Sequence, residues 1–323
     1  MKMAYSAAVR TAPAAREDGQ SPHYVAELYL YAFATQAEVL HHLRTRTSAV
    51  DRERLPAILE TWHRLRPRVA AMEAREAGIA ETIRCAPIPP EFHAQVQRVT
   101  DHPLFQKTFQ DYPGTFEVLE IDKLVAPQRS VNLSYVEELT ASFAGVPTFQ
   151  SLVDICLSPV RPGAPIQHLQ AGSNTHVFSS PSADFRALGS GAKETLTEED
   201  LQLAEAGGVP SASVLAFVGY GCSTVNVFRV GKRAILNNGF HRVYALRSLG
   251  VTDIPVLVQH VHNVALEFPS EVNGFPSGYL LGSPRPVLCK DFLEPGFTIG
   301  VSVRERVRVV KVTMSASRYD VPV

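Results

Sequence analysis

The chain has 323 residues, of which 45% are hydrophobic and 20% charged. These are the proportions of a globular protein with room for one large or two modest domains. Its 31 Lys and Arg against 32 Asp and Glu leave a formal net charge of −1, so no overall basic field advertises nucleic acid. Local basic clusters at residues 64–68 and 304–308 read as a helix end and the wet face of a strand. The four cysteines, Cys85, Cys156, Cys222 and Cys289, form no C-x-x-C pair. No apolar run is long enough to cross a membrane, and the Ala-rich start lacks the apolar centre of a secretory signal. The expectation is a cytoplasmic protein with free thiols and no cysteine-built zinc.

Residues 21–46 carry apolar positions at helical spacing (Val25, Leu28, Tyr29, Ala32, Ala37, Leu40, Leu43), with Ser21-Pro22 as cap and first-turn proline. Residues 51–77 form a second helical stretch, interrupted or bent near Pro67. The two would pack as an antiparallel pair. Residues 87–113 read as a connection with a short helix around residues 91–99. The turn-rich Asp111-Tyr112-Pro113-Gly114 then closes a helical N-terminal region, residues 1–112.

A strand follows at residues 116–121, then Leu124-Val125-Ala126-Pro127-Gln128-Arg129, then a helix over residues 133–143. Residues 149–157 read as helical, and residues 166–169 and 175–178 as a hairpin around Ala171-Gly172-Ser173-Asn174. Residues 178–195, rich in Ser, Gly and Ala, read as a loop or lid. Thr197 and Asp200 make a capping-box-like entry to a short acidic helix. Strands are predicted at residues 213–218 and 224–230, and at residues 299–303 and 307–312 in a β-rich tail. That tail would add an edge to the main sheet or close a small barrel.

Residues 234–258 are the most informative. Ala234, Ile235 and Leu236 form a short strand, and Asn237-Asn238-Gly239 a turn that tolerates positive φ. From His241 the apolar Val243, Ala245, Leu246 and Leu249 recur at helical spacing, Gly250 caps, and residues 254–258 form another strand. A Gly followed by His and Arg at a helix N-terminus suits an anion: backbone N–H groups point outward and the basic side chains add charge.

Gly239-Phe240-His241-Arg242, followed by Ala245-Leu246 and Leu249-Gly250, resembles the signature of the ParB/sulfiredoxin superfamily: a strand, a G-x-H-R turn, and a helix ending in Leu-Gly before another strand. Residues 116–143 fit the opening of the same fold. The resemblance implies an α+β protein. A ParB/sulfiredoxin-like nucleotide-binding domain would span residues 113–267, with an insertion at about 145–213, and a β-rich extension would cover residues 268–323. Members of the superfamily perform different reactions, so it implies nucleotide binding and no single chemistry. Sulfiredoxins carry a Cys inside the turn, where this chain has Phe240. Free-serine kinases of the family use a Glu shortly after the opening-block Pro, where this chain has Gln128-Arg129; Glu137 or Glu138 could stand in. ParB proteins follow the motif with a helix-turn-helix, where this chain is β-rich.

Within that frame the first expectation is a nucleotide-dependent enzyme. It would transfer a phosphoryl group from ATP, ADP or CTP to a small molecule, or hydrolyse the nucleotide, with Mg²⁺ accompanying the phosphates. Gly239 and the amides of Phe240, His241 and Arg242 would hold the terminal phosphates, and Arg242 would neutralise developing charge. His241 would hydrogen-bond a phosphate oxygen or act as acid or base. Gln128 and Arg129 would close the cradle, and Asn238 would position it. The alternatives are a non-catalytic nucleotide-gated module or a ParB-like nuclease or DNA-binding protein. The helical N-terminus could mediate homodimerisation or simply cap the sheet. His260-Val261-His262 puts two imidazoles on one strand face, where His168, His176 or a carboxylate could complete a metal site. Polar residues leaving a sheet account for them better, and no metal is assigned.

Overall fold

A computed structural model describes residues 23–322 except 144, 162, 183 and 203–207. The Ser21-Pro22 cap lies outside the described residues. The fold is α+β, with mixed sheets and short helices.

The first element corrects the sequence reading. Residues Tyr24–Tyr29 are a strand, β1, and the helix α1 (Gln36–Arg46) starts only after Thr35, whose side chain forms a capping box with Glu38. Residues 28–32, Leu-Tyr-Leu-Tyr-Ala, run without a polar break, as the end of a strand covered on both faces does. Tyr29 and Tyr31 enter one core with Trp62, Val39, Leu43, Val301 and Val303, while Leu30 and Ala32 enter the main core. Ser48 caps the short α2 (Ala49–Glu53). The 21-residue α3 (Leu55–Arg75) has a proline in its first turn and runs through Pro67 without interruption, burying Ile58, Trp62, Val69 and Met72.

Next come β2 (Cys85–Pro87), α4 (His93–Thr100), α5 (Pro103–Phe109), β3 (Thr115–Glu120), β4 (Ser130–Asn132), α6 (Leu133–Thr140) and α7 (Phe149–Leu157). The middle of the chain gives β5 (Gln167–Gln170), β6 (Thr175–Ser180), β7 (Phe185–Lys193), α8 (Glu198–Gln202), β8 (Ser213–Tyr220) and β9 (Asn226–Val230). The signature region is β10 (Arg233–Asn238), α9 (Phe240–Ser248) and β11 (Asp253–Val261). The tail holds α10 (Val264–Glu267), β12 (Glu271–Val272), β13 (Phe275–Pro276), α11 (Ser277–Gly282), β14 (Ile299–Arg304) and β15 (Arg308–Thr313).

The main sheet runs β10-β9-β11-β3-β2. Its centre is β11, antiparallel to β3 and parallel to β9, and its residues 254–258 are wholly buried. A strand buried on both faces reads as a continuous apolar run, which is how Ile-Pro-Val-Leu-Val reads. Val125 lies along the outer side of β10, its N–H donating to the Ala234 carbonyl and its carbonyl accepting from Leu236. This places the Pro127-Gln128-Arg129 loop beyond the motif strand.

A second sheet, β14-β1-β4, joins three distant parts of the chain. Neither sequence reading of the tail matches it: β14 extends β1 rather than the main sheet, and β15 pairs with β6 of the middle segment. The predicted lid is also different. Residues 185–193 form a strand paired with β8 from Phe185↔Tyr220 to Lys193↔Ser213. Its Gly and Ser residues look loop-like in isolation. The β-rich partner strand supplies the pairing, and Gly189, at φ +128°, takes up a bulge.

Candidate phosphate site at the start of α9

The turn that opens α9 has the predicted backbone. Gly239 is the N-cap, in the left-handed region at φ +97°, and no side chain caps the helix. The first-turn amides therefore lack a side-chain acceptor. Asn238 donates its side-chain amide to the Cys222 and Thr224 carbonyls, at 3.2 and 3.1 Å, which pins the turn to the loop before β9. A Cβ on Gly239 would come 2.6 Å from Val225 Cγ2 and 3.2 Å from Arg242 Nη2. Glycine is needed here for conformation and for space.

The side chains are arranged differently from an open cradle. Phe240 is buried against Phe292, the ring centroids 4.9 Å apart. Arg242, only 5% exposed, turns inward and donates Nη1 to the Ile155 carbonyl in the last turn of α7, at 3.0 Å. That position suits a cation, since the C-terminal carbonyls of a helix carry partial negative charge. Burial lowers the Arg242 pKa to about 10, and nearby Arg161 pushes it the same way.

His241 is half-buried, its ring meeting that of Tyr135 edge-on at 5.7 Å. Burial pushes its imidazole down to about 4, against the opposing charge of Glu27. At neutral pH it is a neutral ring that can exchange hydrogen bonds but carries no charge. Arg161 donates to the Tyr135 hydroxyl at 3.3 Å.

The charge balance sets Arg242 apart. Among the described residues three arginines are buried. Arg285 is paired with Asp291 and Glu76, and Arg233 with Glu81. Among the described residues Arg242 has no carboxylate within ion-pair reach, and the Arg161 guanidinium adds like charge. A buried cation without a counter-ion is costly, and one carbonyl dipole offsets only part of that.

Gln128 and Arg129 do not join the turn. Gln128 donates to the Ser130 carbonyl at 3.0 Å, and Arg129 is held by Glu38 at 2.7 Å and lies over the Phe275 ring. Neither makes a hydrogen bond or ion pair to residues 239–242. Tyr135, Arg161 and the Ile155 carbonyl were missed from sequence. Tyr135 could have been found, since it opens the helix predicted after the matched strand and Asn132 caps its N–H. Glu27 is also new. It is a buried carboxylate on β1, 3.1 Å from His42 and 3.4 Å from Arg46. Burial raises its pKa, but His42 and Arg46 outweigh that and hold it below the ordinary carboxylate value.

Other places are less suited to an anion. A cleft of about 530 Å³ lies at the opposite end of α9, lined by Arg247, Asp122, Glu76, Lys290, Met72 and Phe297 among others. Its charges are already matched: Arg247 with Asp122 at 2.7 Å and Lys290 with Glu76 at 2.8 Å. His260 turns to Glu117, 3.5 Å away, and its ring lies 6.5 Å from that of His262, centroid to centroid. No group of three His, Cys, Asp or Glu side chains suited to a metal occurs among the described residues. No helix among them is long and apolar enough to cross a membrane.

A scan against protein-family models finds no match to this chain, and searches of curated proteins and of solved structures find none either.

Proposed function

We propose that this protein binds a nucleotide through its phosphates at the start of α9 and uses it for phosphoryl transfer to a small molecule. The observation that carries this reading is the buried Arg242, which lies beside an uncapped helix N-terminus and has no carboxylate partner among the described residues. A phosphate there would accept from the free amides and supply the negative charge that Arg242 and Arg161 lack. In this role Arg242 acts from beneath the turn, stabilising charge through a water-poor path. His241, being neutral, offers a hydrogen bond or takes up a proton. Mg²⁺ would arrive with the nucleotide and take most of its ligands from phosphate and water. The ParB/sulfiredoxin resemblance of the G-x-H-R turn supports the same reading.

One observation favours a second reading. Among the described residues no carboxylate pairs with Arg242 or Arg161, so these supply no strong base at the turn. A nucleotide-gated module that binds without turnover would need none.

Thermal unfolding in the presence of ATP, ADP, CTP and GTP, with and without Mg²⁺, tests binding. At a hundred times the dissociation constant a ligand adds about 2.7 kcal/mol, so one nucleotide should shift the melt visibly. The shift should vanish in Arg242→Ala. Because Arg242 also holds the end of α7, Arg161→Ala, at a half-exposed position, serves as the second variant and should weaken the shift while leaving the fold intact. If no nucleotide stabilises the wild-type protein, the reading falls. If one does, nucleotide turnover with candidate acceptors separates the enzyme from the module.

A further inference from the structure

The middle segment brings together two imidazoles that the candidate phosphate site does not use. His168 lies on β5 opposite Phe178, and His176 lies on β6 opposite Gln170, so the two histidines are diagonal neighbours on one face of the hairpin. His168 Nε2 and His176 Nδ1 are 3.1 Å apart. The rings are nearly parallel, 20° between planes, and Phe178 stacks on His168 at 4.6 Å, holding it from behind. The face is open, with His168 exposed and His176 half-buried. Val310 and Val312 of β15 continue the same face, while Lys311 pairs with Val177 on the other side of the sheet. No nearby cation stands on the rungs that carry the histidines.

We propose that His168 and His176 form a two-histidine site for a borderline divalent transition metal, Cu²⁺ in preference to Zn²⁺. Metal–imidazole bonds are about 2.05 Å long. Two nitrogens 3.1 Å apart subtend about 98° at one ion held at that distance. This lies between the square-planar angle of about 90° that Cu²⁺ favours and the tetrahedral angle of about 109° of Zn²⁺. The nitrogens now share a hydrogen bond, so both rings must turn by about 40° for their lone pairs to meet at one ion, a movement that the open face leaves room for. Water would fill the remaining positions, since no third His, Cys, Asp or Glu of the described residues completes the group. The bound ion would clip β5 to β6 and so steady the strand, β6, to which the tail strand β15 is paired.

The test is metal titration of the full chain with any affinity tag removed, by calorimetry with Cu²⁺ and Zn²⁺, and electron paramagnetic resonance of the Cu²⁺ form. One equivalent should bind, Cu²⁺ more tightly than Zn²⁺, with a spectrum reporting two nitrogen ligands. His168→Ala and His176→Ala should each weaken binding by about tenfold or more, comparable with or larger than the loss of a supporting partner. His260→Ala, at the other histidine pair, should leave it unchanged. Circular dichroism of both hairpin variants checks that the fold persists. No uptake, uptake that survives His168→Ala at full affinity, or uptake lost in His260→Ala would each overturn the assignment.

Discussion

Gly239 meets two constraints at once. Its φ of +97° is a conformation that an L-residue enters only with strain, and a Cβ there would press into Val225. Gly250 shares the first constraint but not the second: it sits at φ +91° with Val146 no closer than 3.8 Å to the added carbon. Gly250→Ala should therefore cost only the backbone term, about 1 kcal/mol. Gly239→Ala should cost about 2–4 kcal/mol, because the β-branched Val225 is fully buried and cannot swing away. Urea unfolding of the two variants gives the difference directly. Equal losses would mean that the turn yields and that the close approach has no consequence. His241 makes a separate prediction. Its folded-state pKa, about 4, is below the ordinary 6.5, so between those values the unfolded chain takes up a proton that the folded chain refuses. Stability from this group is complete above pH 6.5 and is lost as pH falls toward 4, at up to about 1.4 kcal/mol per pH unit. His241→Gln should remove that slope, so the gap between wild-type and variant stability should narrow across the window. Parallel curves would show an imidazole that titrates normally.

At the level of elements, legibility follows from how local the cause is. The β10–α9–β11 run was readable because each of its parts carries its own signal: an apolar triplet, a turn glycine, a helical stripe and a second apolar run. The capping box at Thr197 and Asp200 was readable for the same reason, since both partners lie within one turn. β1 was misread because Tyr24–Tyr29 owes its conformation to partners more than a hundred residues away, Ser130–Asn132 and Ile299–Arg304. The Gly- and Ser-rich β7 likewise becomes a strand only through β8. The site divides in the same way. The backbone of the G-x-H-R turn is local and was legible. The direction of Arg242 was not, because its acceptor is the Ile155 carbonyl, 87 positions away, and nothing in the motif reports which way the guanidinium turns.

Across the whole molecule, the N-terminal segment and the signature region share their cores. Tyr29 and Tyr31 enter one cluster while Leu30 and Ala32, between and beside them, enter the other. A charged network ties the same parts together. Arg285, whose side chain is fully buried, donates to Asp291 and to Glu76 at the end of α3, and Glu76 also receives Lys290. Burial raises the Asp291 pKa, with Arg285 opposing it, so the aspartate depends on that guanidinium to stay ionised. Arg285→Ala strands a carboxylate that is 1% exposed and should cost about 3–5 kcal/mol, the usual penalty for removing one partner of a buried pair. Both cores should feel the loss together. The single tryptophan, Trp62, lies in the smaller core, its indole N–H donating to the Ala34 carbonyl at 3.1 Å. Its fluorescence reports that core alone, whereas far-ultraviolet circular dichroism reports the whole backbone. In a denaturant series the two signals should trace one transition in the wild type. In Arg285→Ala they should move to lower denaturant by the same amount. A tryptophan transition that stays in place while the circular dichroism moves would mean that the two cores unfold independently, and that the strands shared between them do not couple the chain into one cooperative unit.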